Sequence, residues 1–232
     1  RFKNILGIKK IKKERNIPVV NIQKTTIKKT NINKNILTDE QKSYIKEILK
    51  KVRVNISKTE YDLAKNLIIE WLSIDKFNKD LNLELAWIYI IEQDFLKAEY
   101  IYKDLLLIYD NDFEILKKLG YILTMQEKYD IAIEVYKKAH EIKKDDIDII
   151  NMLAHLYFYK DLHLESIKLL KIYLKYKPRD IENLILLWEC YKKIQKTNDA
   201  IVLFKRVLDI QPYNEEVKLE IQNLEWEISR ER

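Results

Sequence analysis

The strongest constraint on this chain is a period. From Ile45 to Asn214 the sequence repeats every 34 residues without insertion or deletion, in blocks 45–78, 79–112, 113–146, 147–180 and 181–214. All seven alanines (Ala64, Ala86, Ala98, Ala132, Ala139, Ala154 and Ala200) fall at the eighth, twentieth or twenty-seventh position of a block. Gly120 sits at the eighth position, Ser166 at the twentieth, and Pro178 and Pro212 share the thirty-second. Such blocks fold as copies of one supersecondary unit, and each buries its apolar face only by stacking on the next.

The recurring residue types say what the unit is. Two antiparallel helices approach closely only where the facing side chains are small, so Ala, Gly or Ser recurs at their crossing. Larger apolar residues fill the space around it, as Leu116, Leu119, Leu123, Tyr129, Tyr136 and Ile142 do in the third block. Proline at the thirty-second position follows the second helix and stops it. Composition agrees. Two glycines and three prolines in 232 residues supply too little turn chemistry for a many-stranded sheet, whereas helices joined by short polar links need little.

The pattern resembles the tetratricopeptide (TPR) family. The third block carries it best, with Leu116, Leu119, Gly120, Leu123, Tyr129, Ala132, Tyr136 and Ala139. The second (Leu85, Ala86, Tyr89, Phe95, Ala98, Tyr102) and fifth (Leu184, Leu187, Tyr191, Ala200, Phe204, Pro212) follow it well. The first departs, with Lys51 and Asn55 where apolar residues are expected, as an atypical end repeat does. The resemblance implies an all-α fold, a right-handed superhelix of five helix-turn-helix repeats.

Both flanks of the repeats are readable. Thr38 with Gln41 makes a capping box that opens the first helix near residue 39. Val217, Ile221, Leu224 and Ile228 form one stripe in residues 215–232, with Glu215, Lys218, Glu220, Glu225 and Glu227 elsewhere. That is a closing helix, N-capped by Asn214, that keeps the last apolar face from water. The body is therefore expected to hold eleven helices between residue 39 and the C-terminus.

Charge is unevenly placed. Residues 1–38 carry eleven Lys or Arg against Glu14 alone, so the whole-chain +6 divides into +10 there and −4 over residues 39–232. This basic arm shows no helical stripe, and its Ile17–Ile22 stretch around Pro18 is extended in character. It suits anionic lipid head groups better than nucleic acid, because no aromatic residue interleaves the basic ones after Phe2. The sequence begins at Arg1 rather than Met, which leads to the expectation of an upstream segment, a signal or an anchor. Rich in Ile, Lys, Asn and Tyr, the composition also resembles that of envelope-associated TPR proteins of spirochaetes such as Borrelia. An envelope location is the expectation that follows, with cytoplasm as the alternative.

Residue types that carry catalysis do not converge. The three histidines, His140, His155 and His163, form no metal-binding pair at helical spacing. Two glycines cannot build a phosphate loop, and Cys190, the only cysteine, reads as a buried thiol. No enzyme, cofactor or metal is expected.

The resemblance places binding on the inner face of the superhelix, which leading-helix positions 2, 5, 9, 12 and 13 line in that family. By register those positions give Leu83, Trp87, Ile90 and Ile91, then Tyr121 and Met125, then Asn151, His155, Phe158 and Tyr159, and Lys192 in the fifth block. Lys117, Thr124, Ile185, Glu189 and Lys193 fall on the same positions. Trp87, Tyr121 and His155 share position 9 and are expected to form a ladder. An apolar, aromatic groove suits an amphipathic helix or extended segment of another protein. The alternatives are a membrane-surface binder acting through the arm, the chain's own Ile17–Ile22 in the groove, and a structural subunit of a larger assembly.

Overall fold

The computed structural model describes residues 38–230, and the basic arm with its Ile17–Ile22 stretch lies outside the described residues. Eleven helices and no strand are found among the described residues. They are α1 (Asp39–Ser57), α2 (Tyr61–Leu72), α3 (Lys79–Ile91), α4 (Phe95–Leu106), α5 (Phe113–Met125), α6 (Tyr129–Ile142), α7 (Ile147–Tyr159), α8 (His163–Tyr176), α9 (Ile181–Lys193), α10 (Thr197–Ile210) and α11 (Glu215–Arg230). Each block of the period is one leading helix and one second helix, and α11 follows the fifth pair.

Every leading helix after α1, and α11 as well, starts the same way because the thirty-fourth position is Asn or Asp. The side chains of Asn78, Asp112, Asp146, Asp180 and Asn214 each accept a hydrogen bond from a backbone N–H in the first turn that follows. Those groups have no partner within the helix, and such a cap is worth about 1 kcal/mol. Thr38 and Gln41 form the reciprocal capping box at α1.

The leading helices also end alike, in a way that a glycine-poor sequence conceals. Position 15 of all five blocks is left-handed, at Thr59, Gln93, Glu127, Asp161 and Gln195, with φ between 58° and 63°. The next residue's N–H reaches back to a carbonyl five residues earlier, as Asp94 does to Tyr89 (2.8 Å) and Lys128 to Leu123 (2.9 Å). This is the helix-terminating motif that glycine usually occupies.

Packing follows the small-residue positions. Ala64, Ala86, Ala98, Ala132, Ala139, Ala154, Ser166 and Ala200 are completely buried. At Gly120 an added Cβ would lie 2.6 Å from the Tyr136 ring, which is itself buried. The interior forms two apolar clusters that meet in α7, where Ile149, Leu153 and Leu156 belong to the first and Ile150 and Ala154 to the second. In α11, Val217, Ile221 and Leu224 are buried against the second cluster.

Two substitutions test this account by thermal and urea unfolding followed by circular dichroism. Gly120→Ala lowers stability by about 1–3 kcal/mol, because the enclosed ring outweighs alanine's better helix propensity of about 1 kcal/mol. Glu127→Gly raises stability by about 0.5–1 kcal/mol by relieving a left-handed backbone.

Candidate docking groove

Leading-helix positions 3, 7 and 10 face the preceding repeat, and positions 4, 8 and 11 face the helix's own partner. In α5 these are Ile115, Leu119 and Ile122, then Leu116, Gly120 and Leu123, and all are buried. Positions 2, 5, 9 and 12 fall on the remaining arc of the helix. That arc is the groove, and the structure sorts its expected residues into three groups.

The first group comes together. Trp87 and Ile90 of α3 and Tyr121 of α5 line a solvent-open hollow of about 310 Å³, completed by Glu114, Lys117, Lys118, Tyr136, Asp148, Ile149 and Met152. Trp87 is 46% exposed, while Ile90 and Tyr121 lean on the core. The hollow spans three successive leading helices. Lys117 is held at its margin, with Nζ 3.1 Å from Asp146 and 2.8 Å from Asp148. Burial alone would lower the ammonium's pKa, but the two carboxylates outweigh it and hold the group above its ordinary range.

The second group lies outside that hollow. Leu83, Ile91, Met125 and Asn151 are half-buried, and the Asn151 side-chain oxygen is enclosed without a hydrogen-bond partner. Phe158 packs toward His163 at a ring-centroid separation of 5.6 Å. Tyr159 lies against Tyr129 at 4.4 Å.

The third group has structural work. His155 departs from the expected ladder: only 5% exposed, it hydrogen-bonds Asn183 of α9 at 2.9 Å through Nε2. Lys192 pairs with Glu220 of α11 and thereby ties the closing helix to the fifth repeat. Trp87 and Tyr121 keep the accessible part of the position-9 row.

Sequence reasoning missed Glu114, Asp148, Met152 and Tyr136. Glu114 and Asp148 occupy position 2, which the register already places on the groove. Tyr136 belongs to a second helix and reaches the hollow because Gly120 leaves the space open. Gly120 is the signal that could have found it.

Among the described residues no group of three or more His, Cys, Asp or Glu is placed to hold a metal ion, and no helix is long and apolar enough to cross a membrane. Cys190 is fully buried, and burial pushes its thiol up to about 11, so it stays protonated at neutral pH. A second hollow of about 280 Å³ lies between α8, α9 and α10. Two of its three cations are engaged, with Arg206 donating to the Pro178 carbonyl at 2.8 Å and Lys171 lying 5.6 Å from the Tyr191 ring centroid.

Fold and groove together define a tetratricopeptide-type helical solenoid. Among solved structures the chain is similar to YrrB, described as a TPR protein with an unusual peptide-binding site. The TM-score is 0.66 at 14% identity, covering 79% of this chain and 97% of that one. It is also similar to MamA, with a TM-score of 0.66 at 19% identity over 77% of this chain and 96% of that one. MamA of Desulfovibrio magneticus RS-1 gives 0.58 at 15% identity over 64% and 84%. At these identities the likeness is one of fold. No protein-family model matches the sequence, and a search of curated proteins finds no match.

His155 makes stability depend on pH. Burial lowers its pKa in the folded chain, against the raising effects of the Asn183 hydrogen bond and of Asp180. Above the ordinary value of 6.5 both folded and unfolded chains are neutral at this site. Below it the unfolded chain takes up a proton that the folded chain resists, so stability falls as pH drops. Below the ordinary value this group therefore makes stability rise with pH, with a slope that one proton limits to about 1.4 kcal/mol per pH unit, read from urea unfolding. His155→Gln, which keeps a polar group for Asn183, loses most of that slope.

Proposed function

We propose that this chain is a non-enzymatic interaction module that holds a segment of another protein in its groove. The observation that carries this reading is the open hollow between α3, α5 and α7. It is walled by Trp87, Ile90, Tyr121 and Met152 and edged by Glu114, Lys117, Lys118 and Asp148. An apolar floor with a few fixed charges at its margin is the composition of a recognition site. Aromatic groups on a packed helical scaffold lose little conformational freedom when they are covered. The description of YrrB as a peptide-binding TPR protein supports the same class of ligand.

The bound segment places a bulky apolar side chain in the hollow and lies across the leading helices, as an extended strand or an amphipathic helix. Position 9 supplies the wall at Trp87 and Tyr121. Position 2 supplies carboxylates at Glu114 and Asp148, of which Asp148 is already paired with Lys117, so the rim carries charges of both signs.

A displayed library of random 20-residue peptides, selected on the full chain, tests this directly. Trp87→Ala is expected to weaken the selected peptides by about 2 kcal/mol or more, measured by calorimetry, and to leave the melting temperature nearly unchanged. Tyr100→Ala on α4, a residue 68% exposed and outside the groove, leaves affinity unchanged. Equal effects of the two substitutions would sink the reading.

A further inference from the structure

Two tyrosines meet where the third repeat joins the fourth. Tyr129 opens α6 and Tyr159 ends α7, with ring centroids 4.4 Å apart and planes inclined at 53°. That separation is at the short limit of what aromatic pairs adopt. Tyr129 is half-buried against the first apolar cluster, whereas Tyr159 is 52% exposed. Burial first, and then a hydrogen bond with the Tyr159 hydroxyl, hold the Tyr129 hydroxyl above its ordinary range, so it is protonated at neutral pH. The next residue on each side fastens the same two helix ends together, with Lys160 Nζ 2.9 Å from Asp130 Oδ1. The rings are therefore held in contact by the fold and by an ion pair beside them.

Packing does not ask for two phenols at this place. Tyr129 is position 17 of its block and Tyr159 is position 13 of the next. The same two positions hold Tyr61 and Ile91 at the first junction, Phe95 and Met125 at the second, and His163 and Lys193 at the fourth. Apolar, sulfur-bearing and polar pairs all serve the stack. Only the third junction sets one phenol against another.

We infer that Tyr129 and Tyr159 form a site of oxidative cross-linking, at which a one-electron oxidant joins the two rings and clamps the third repeat to the fourth. Each phenol gives up one electron and one proton and becomes a neutral phenoxyl radical, its unpaired electron shared between the oxygen and the ortho and para ring carbons. The exposed Tyr159 meets the oxidant, and Tyr129 passes its electron through the touching ring. A carbon–carbon bond then forms between one ortho carbon of each radical. The hydrogen on each of those carbons moves to the oxygen as the rings regain aromaticity, restoring two phenols. In all, two electrons and two protons leave the pair. With a haem peroxidase as oxidant they reduce one hydrogen peroxide to two waters. Two rings joined by a single carbon–carbon bond have their centroids at about the separation already present, so coupling asks for rotation rather than approach. Prior contact gives the pair an effective concentration that tyrosines on separate chains do not reach. The bond closes residues 129–159 into a loop, a constraint on the unfolded chain that favours the folded one.

The test treats the full chain, at low concentration, with a haem peroxidase and hydrogen peroxide, and in parallel with a ruthenium photo-oxidant small enough to reach any exposed ring. The expected product is a monomer lighter by two hydrogen atoms, with biphenol fluorescence and a tandem mass spectrum that joins Tyr129 to Tyr159. Its yield is unchanged by dilution. Tyr129→Phe and Tyr159→Phe, which keep the rings and the packing, each lower that yield about tenfold or more, while Tyr157→Phe and Tyr100→Phe leave it as in the parent. The cross-linked monomer melts at a higher temperature than the untreated chain. Oxidised Tyr159→Phe shows no such rise, which separates the clamp from oxidation of methionine. The inference is overturned if neither oxidant forms the link, or if the link maps to other tyrosines. It is equally overturned if only dimers form through exposed residues such as Tyr100 and Tyr213, or if the linked monomer melts no higher.

Discussion

The rest of the structure depends on how closely the two helices of a repeat can approach. That distance is set by the side chains at positions 8 and 24. In the third repeat glycine faces tyrosine, and no space remains for a Cβ at Gly120. In the second, Ala86 and Tyr102 share the positions, and in the fourth Ala154 and Leu170, all of them completely buried. A small residue on one helix with a large one on the other keeps the summed volume nearly constant from repeat to repeat. The first and fifth repeats solve it differently, with Val52 and Ile68 in one and Trp188 stacked on Phe204 at 4.2 Å in the other. The second to fourth repeats share one small-against-large solution, and the fifth fits its larger pair by stacking the two rings.

Most of the fold was legible in the sequence for that reason. A packing constraint that recurs at a fixed period leaves a one-dimensional record, and the alanines, Gly120 and the helix-capping residues at position 34 are that record. The left-handed residues at position 15 were not legible. Their conformation follows from the backbone hydrogen bonds that end each helix, and with Thr, Gln, Glu, Asp and Gln there it has no glycine to announce it. The groove was legible as a register and not as a site. Counting from Trp87 finds Tyr121 and His155, but whether each faces solvent depends on the helix beside it. Asn183 draws His155 inward, and no count along the chain contains that contact.

Electrostatics acts mainly between repeats. Lys79 pairs with Asp112, Lys117 with Asp146 and Asp148, Lys65 with Glu92, and Lys160 with Asp130. Lys160–Asp130 is largely solvent-exposed, and such a pair contributes about 0–1 kcal/mol, whereas the Lys79, Lys117 and Lys65 pairs are partly buried. Their main effect is on register, since each fixes one repeat against the next and resists sliding of the stack. Glu99 differs because it is buried. Burial pushes its carboxyl up, but hydrogen bonds from Lys103 of its own helix and Lys128 of the next repeat hold it below the ordinary range. Losing either lysine would leave a carboxylate short of a partner in a poorly solvated place, a larger penalty than loss of a surface pair.

The division between core and groove explains how the chain can carry a specific surface on a generic scaffold. Positions 3, 4, 7, 8, 10 and 11 of a leading helix are spoken for by packing, which leaves positions 2, 5, 9 and 12 freer to vary, although Leu49, Thr124 and His155 among them are buried. Position 9 varies most, reading Trp87, Tyr121, His155 and Glu189 in successive repeats. Its character passes from open aromatic to inward hydrogen bond to carboxylate along a stack whose core hardly changes. A scaffold under a strict volume constraint thus concentrates its freedom in a few aligned rows. Trp87, 46% exposed at one end of the row, therefore cannot be credited to core packing, which makes no demand for it there.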